Sequence, residues 1–244
     1  MTHWLSPPKE FNLSLNQVDI WQADLNVSPQ QLGQFQLTLS EDEQQRAQRF
    51  RFERDRHQYI AARGILRSLL GKYLGVNPAQ LQFNYSDKGK PTLSPVHVTL
   101  PIQFNVSHSH QKALYGITLN HRVGIDLEYI RPVEALALAQ RFFSQQEFTQ
   151  LTAISPQQQQ QVFFQLWTGK EAYLKATGEG LSGLETIEIL LENLQELSFN
   201  FSDKMLLKWS IIPLNINDQY VASLAVEGEL LEYRYWQWQS ISSL

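Results

Sequence analysis

The chain has 244 residues, a net charge of −4 and 43% hydrophobic residues, including 13 Phe, 9 Tyr and 6 Trp. That is enough apolar surface for one large domain or two of about 120 residues. The acidic balance excludes a generally basic nucleic-acid binder, and the lack of cysteine excludes disulfides and thiolate metal sites. Residues 1–10 have no signal-peptide apolar core and no apolar run approaches the ~20 residues of a membrane span, so a cytoplasmic protein without membrane association is expected.

In chain order, alternating apolar residues within 11–25 (Leu13, Leu15, Val18, Ile20) predict one or two strands. Ser28-Pro29 opens a short helix ending near Leu39, and Ser40-Glu41-Asp42-Glu43 is a capping box for the next. Helical periodicity then runs through Tyr59, Ile60, Ile65, Leu66, Leu69, Leu70 and Tyr73 to Gly75, with a break near Phe50–Phe52. This segment is rich in arginine, from Arg46 and Arg49 to Arg63 and Arg67. A strand at Leu81–Tyr85 gives way to the turn Asp87–Pro91, after which Phe104–His108 and Ala113–Leu119 form a hairpin. Asn120-His121-Arg122 divides the chain into halves, 1–120 and 121–244.

The second half opens on the strand Gly124–Glu128, followed by a helix from Pro132 to about Phe143. Ser144-Gln145-Gln146-Glu147 is a second capping box, opening a helix that ends near Ser155-Pro156. Gln157–Gln161 reads as a helix start or a loop. A strong helix spans Val162–Ala176 and stops at Gly178, a C′ residue. Short alternating stretches at Ile187–Leu191, Leu197–Phe201, Leu206–Ile212, Tyr220–Val226 and Leu231–Trp238 end the chain in strands. The order of strand, helices and strands occurs twice, so the expected class is α+β in two similar halves, and no GxGxxG or Walker glycine loop is present.

In Gly124-Ile125-Asp126-Leu127-Glu128 the period of two puts both acids on one face and both aliphatic residues on the other. Neighbouring carboxylates repel, and burying either needs a compensating charge. A hard divalent cation such as Mg²⁺ meets that need and leaves coordination places for water and phosphate. Alone, the strand is equally a half-exposed one with a solvated acidic face. Glu171 and Lys175 lie four apart on one helix face, with Trp167 a turn earlier. Alone they are an ordinary surface pair worth ~0.3–0.5 kcal/mol. Ser107 and His108, adjacent on a strand, face opposite ways and cannot form a Ser–His dyad.

The set says more than its members. Gly89-Lys90-Pro91, Phe104-Asn105-Val106-Ser107-His108-Ser109, Val123-Gly124-Ile125-Asp126-Leu127-Glu128, Arg141-Phe142-Phe143-Ser144 and the run Trp167–Ala176 occur in that order. Together they resemble the 4′-phosphopantetheinyl transferases, in the larger, monomeric subclass of the surfactin-synthetase-activating type, across roughly residues 40–182. The resemblance implies two α+β halves related by a pseudo-twofold, with the active site in the cleft between them. It implies coenzyme A as substrate, Mg²⁺ or Mn²⁺ as metal, and an apo acyl or peptidyl carrier protein whose serine receives the phosphopantetheine arm. Adenosine 3′,5′-bisphosphate would be released.

Position by position, the resemblance places Asp126, Glu128 and Glu171 at the metal and Lys175 on the pyrophosphate. It places Ser107 and His108 on the phosphates of the nucleotide end, Arg46 near the 3′-phosphate, and Lys90 and Pro91 beside the adenine. The coenzyme A nucleotide contacts thus fall in 1–120, and the metal and catalytic groups in 121–244. Glu171 is the candidate base and Lys175 a positive charge at the leaving oxygen. Glu43 departs from the pattern, standing where some members carry a second basic residue. Gly169 is unusual inside a helix, at a cost of ~1 kcal/mol relative to Ala. The arginine-rich helix around Arg49–Arg67 is a candidate landing site for an acidic carrier protein. The competing readings are a nucleotide pyrophosphatase-like enzyme sharing the same acids, and a non-enzymatic carrier-binding module.

Overall fold

The computed structural model describes residues 3–97, 100–180, 183–185, 187–193, 198–201, 209–228 and 232–239. The expected strand starts at Leu197, Leu206 and Leu231 lie outside the described residues. The chain forms two compact units, His3–Asn120 with Glu232–Leu244, and His121–Leu231. Both mix helix and sheet, and each encloses its own apolar core.

The first unit contains β1 (Gln17–Asp24), α1 (Pro29–Thr38), α2 (Glu41–Gln48), α3 (Glu53–Leu74), β2 (Phe83–Tyr85), β3 (Pro91–Leu93), β4 (Ile102–Ser109) and β5 (Lys112–Leu119). The second contains β6 (Val123–Tyr129), α4 (Ala135–Phe142), α5 (Gln145–Thr152), α6 (Pro156–Thr177), β7 (Ile189–Asn193), β8 (Ser198–Phe201), β9 (Trp209–Asn217) and β10 (Tyr220–Glu227). The last strand, β11 (Glu232–Gln237), returns to the first unit, whose main sheet runs β11-β1-β5-β4. The sheet that carries the acids runs β6-β10-β9.

Placing the closing strand with the second half was incorrect. β11 pairs in parallel with β1, from Gln17↔Glu232 to Gln22↔Gln237. The cause is electrostatic as well as geometric. Asp19 on β1 is fully buried, and Arg234 donates to both its oxygens, Nε to Oδ1 at 2.6 Å and Nη2 to Oδ2 at 2.8 Å. Tyr73 donates its hydroxyl to the same carboxylate. Without Arg234, Asp19 would be a buried charge short of its cation, which costs about 3–5 kcal/mol.

The helix boundaries follow local chemistry. Ser28, Ser40 and Ser144 start their helices with capping boxes. The 22-residue helices α3 and α6 both end at a left-handed glycine, Gly75 at φ 66° and Gly178 at φ 84°, a conformation glycine adopts without a Cβ clash. The glutamine run is helical: α6 begins at Pro156, so Gln157–Gln161 form its first turns.

The two capping glutamates have a second role. Glu43, 1% exposed, takes the Ser40 amide at 3.0 Å and the guanidinium groups of Arg63 and Arg67, the latter at 2.6 Å. Glu147, fully buried, takes the Ser144 amide at 2.7 Å, the Ile189 amide at 2.8 Å and Lys170 Nζ at 2.6 Å. Each therefore ties a short helix to the long helix beside it. Glu43 is an internal anchor in this chain, which gives an acid a structural role at the position where it departs from the family pattern.

The placement of the acids depends on how closely α6 lies on β6. A Cβ built on Gly124 would stand 1.9 Å from the Ala172 carbonyl oxygen and 2.5 Å from the Ala176 nitrogen. Backbone atoms of a packed helix cannot yield locally, so only glycine fits. Gly124→Ala is expected to destabilise the protein by about 3 kcal/mol or more, as severe overpacking does. Gly33→Ala, on the exposed face of α1 with no atom within 4 Å of the new Cβ, is expected to stabilise it by about 0.5–1 kcal/mol. Urea unfolding of the two variants against the parent measures both.

Candidate active site

Strand alternation turns Gly124, Asp126 and Glu128 toward α6 and turns Ile125 and Leu127, both fully or almost fully buried, the other way. In the antiparallel partner β10, Ser223 stands opposite Asp126 and Val221 opposite Glu128. Because Gly124 lets the helix approach, Lys175 Nζ reaches Asp126 Oδ1 at 2.6 Å. Glu171, one turn earlier on α6, falls within the field of the same carboxylate. Burial first, and then the charges of Asp126 and Glu128, push the Glu171 carboxyl up to about 7, although Lys175 opposes the shift. Burial and Asp126 also raise Glu128, against the pull of Arg131, whose Nη1 lies 3.4 Å from Glu128 Oε2.

The two lysines of this helix, five residues apart, have separate partners. Lys170 is fully buried and held by Glu147, whereas Lys175 is part-exposed and meets Asp126. Trp167 packs among Phe142, Phe143 and Phe163, with ring centroids 5.7–6.5 Å away, and so fixes α6 against the end of α4. Gly169 lies buried within the same helix.

Among the described residues no three acidic or histidine side chains form a ready-made metal cage. The donor set nevertheless suits Mg²⁺, which binds through one or two carboxylates and takes its other ligands from water and phosphate. Asp126, Glu128 and Glu171 offer hard oxygens only, and the proton affinity of Glu128 and Glu171 is raised by burial first and then by the neighbouring negative charge, which a divalent cation would offset.

A second cluster lies wholly within the first unit. A cavity of about 250 Å³ is lined by Arg46, Tyr59, Arg63, Tyr85, Pro91 and His108, among others. The Arg63 guanidinium sits 4.5 Å from the Phe83 ring centroid and 5.5 Å from that of Tyr85, and the Arg46 guanidinium is 5.8 Å from that of Tyr59. Burial pushes the Tyr59 hydroxyl up to about 12, so it remains a neutral donor. The structure thus brings together Arg46, Pro91 and His108 from three separate segments. Ser107 faces the opposite side of β4, buried beside Asn105, and Lys90 stands in the β2–β3 turn, its amide donating to Ser86 Oγ at 3.1 Å.

Sequence reading missed Tyr59, Arg63 and Tyr85 here. The available signal was the four-residue spacing of Tyr59 and Arg63 on α3, which aligns them on one face. Arg63 and Arg67 are withdrawn from the basic surface expected of that helix, because Glu43 holds both inside.

Comparison with known proteins identifies a family of group-transfer enzymes. Residues 122–225 match the family model of the 4′-phosphopantetheinyl transferase superfamily, and residues 23–115 match that described as "4′-phosphopantetheinyl transferase, N-terminal". The chain is 41% identical to the 4′-phosphopantetheinyl transferase HetI of Nostoc sp. (strain PCC 7120) over 96% of its own length and 98% of that protein's. It is 39% identical to the putative 4′-phosphopantetheinyl transferase slr0495 of Synechocystis sp. over 68% of this chain and 67% of that one. With 4′-phosphopantetheinyl transferase Sfp of Bacillus subtilis it shares 28% identity over 74% and 79% of the two lengths. The chain belongs to the 4′-phosphopantetheinyl transferase superfamily.

The raised Glu171 carboxyl has a measurable consequence for stability. Its folded value of about 7 lies above the ordinary 4.5, so the stability it contributes is full below about pH 4.5 and is lost as pH rises through about 7. Glu171→Gln lacks this dependence. In metal-free buffer the melting temperature of Glu171→Gln relative to the parent is expected to rise between about pH 5 and about pH 8, measured by calorimetry in EDTA. A difference that stays flat or falls across that range would contradict the shift.

Proposed function

We propose that the protein transfers the 4′-phosphopantetheine arm of coenzyme A to a serine of an apo acyl or peptidyl carrier protein, releasing adenosine 3′,5′-bisphosphate, with Mg²⁺ as the metal. The observation that carries the reading is the Lys175–Asp126 contact on the tight β6–α6 packing, with the Glu171 carboxyl in the field of both Asp126 and Glu128. Three carboxylates and one ammonium suit a pyrophosphate held through a divalent cation. Membership of the family supports the transfer, and the chemistry of the residues supports the metal.

In this reading Asp126, Glu128 and Glu171 hold the metal, which when bound offsets the negative charge of the pyrophosphate oxygens. The serine oxygen forms a bond to the β-phosphorus, and the bond from that phosphorus to the bridging oxygen breaks. Glu171 takes the serine proton as general base. Lys175, now shared between Asp126 and the substrate, faces the leaving phosphate with a positive charge. The cavity around Arg46, Arg63 and His108 takes the 3′-phosphate and adenine, with Tyr59, Tyr85 and Pro91 as its flat walls. Lys90 and Ser107, which do not converge on that cavity in the same way, contact the phosphates from the β2–β3 turn and from β4.

For the carrier, exposed Arg49, Arg51 and Arg54 with Phe52 remain available at the α2–α3 junction. A cationic surface steers an acidic partner and loses strength in salt.

The test is incubation with coenzyme A, Mg²⁺ and an apo carrier protein, followed by mass spectrometry of the carrier. A mass gain of one phosphopantetheine supports transfer, while bisphosphate release without an acceptor indicates a pyrophosphatase instead. Glu171→Gln is expected to lower kcat by about 10²–10⁴, and unaltered turnover would remove it as the base. Substituting dephospho-coenzyme A should raise KM for the parent and change it little for Arg46→Ala. The KM for the carrier should increase with ionic strength; a salt-independent value would place docking elsewhere.

A further inference from the structure

Within the unit His121–Leu231, the first half of α6 and the β9–β10 hairpin enclose another cavity, of about 480 Å³. Its volume is typical of small-ligand sites, ~300–1,000 Å³. Ile130, Leu214 and Val221 supply apolar wall, and the carboxamides of Gln161, Gln165, Asn215 and Asn217 supply the polar groups. Asp218 is the one charged side chain among the lining residues, so nothing there would balance a phosphate or a carboxylate.

Gln165 is the unusual member. It is 7% exposed, and its buried Oε1 finds no hydrogen-bond partner among the described residues. A helix position packed on two strands has no need of an amide; leucine would fill the same space without a desolvated polar atom. The amide is accounted for if a ligand completes it. A carboxamide carries one acceptor and a donor pair, the same functions a peptide bond presents. Four of them around an apolar wall complement a chain of secondary amides with small apolar flanks. The cavity adjoins the acidic strand, since Val221 pairs with Glu128 and Ile130 follows two residues later.

We propose that this cavity binds an uncharged chain bearing secondary amides, with Gln165 as the hydrogen-bonding residue at its base. Such a chain has two sources, the pantetheine arm of coenzyme A and the main chain of a peptide. Only the first source rests on the transfer reading; the site itself requires neither metal nor turnover.

The experiment titrates the full chain, without metal or carrier, with free pantetheine and separately with N-acetylleucine N′-methylamide, following side-chain amide signals by ¹H–¹⁵N NMR. At least one probe is expected to give saturable shifts at Gln165 and Asn217, and Gln165→Leu is expected to weaken its binding about tenfold. Shifts with pantetheine alone assign the arm, and shifts with the capped residue alone assign a peptide. Asn215→Ala, at an exposed position, is read in the same way if Gln165→Leu fails to fold. Absence of shifts with both probes at millimolar concentration overturns the proposal, as does parental affinity in the variant read. Loss of carrier modification with probe binding intact would refute the transfer reading and leave this site standing.

Discussion

The approach of α6 to β6 at Gly124 is the contact on which the arrangement of the candidate site depends. A helix backbone 1.9 Å from where a methyl group would stand leaves no room for another residue. That closeness brings the Lys175 ammonium to 2.6 Å from Asp126 and puts Glu171 under the influence of the same carboxylate. A wider spacing would let water between the groups and weaken each of these interactions. The site is therefore an electrostatic arrangement built by a steric allowance.

Buried ion pairs hold the surrounding frame. Glu147 joins α5 to α6 through Lys170, and Glu43 joins α2 to α3 through Arg63 and Arg67. Both glutamates also cap the helix that carries them, so one side chain satisfies a helix end and a buried cation together. Such pairs contribute little net stability compared with apolar replacements, but losing one partner is costly, so they enforce a particular seating of the long helix. For α6 that seating fixes where Glu171 and Lys175 project. For α3 it fixes Tyr59 and Arg63 at the wall of the basic cavity.

Much of this was legible in the chain. The capping boxes at Ser40 and Ser144, the terminal glycines Gly75 and Gly178, and the alternation of Gly124–Glu128 are local signals, and each element stands where its signal lies. Residue types, spacing and family likeness point to Asp126, Glu128, Glu171 and Lys175 as candidates, and the structure brings Lys175 to Asp126. Harder to see were groups whose role depends on a distant partner. Arg63 and Arg67 look like two more surface arginines until Glu43 is seen to bury them. Alternation already turns Ser107 and His108 to opposite faces of β4, but that His108 is the one to share a cavity with Arg46 depends on how α2 and β4 are brought together.

By itself, the sequence determined the helix ends, the strand that carries the acids, the likeness to one enzyme family and the residue types of the candidate site. These depend on interactions within a few residues or on ordered motifs, both of which are written along the chain. Tertiary structure alone decided that β11 joins β1, that Asp19 is balanced by Arg234, and that Gln165 lines a cavity with a buried Oε1 that has no hydrogen-bond partner among the described residues. Those outcomes depend on which groups lose their water and which charges then lie near enough to replace it, and contacts between residues 215 positions apart leave no local trace.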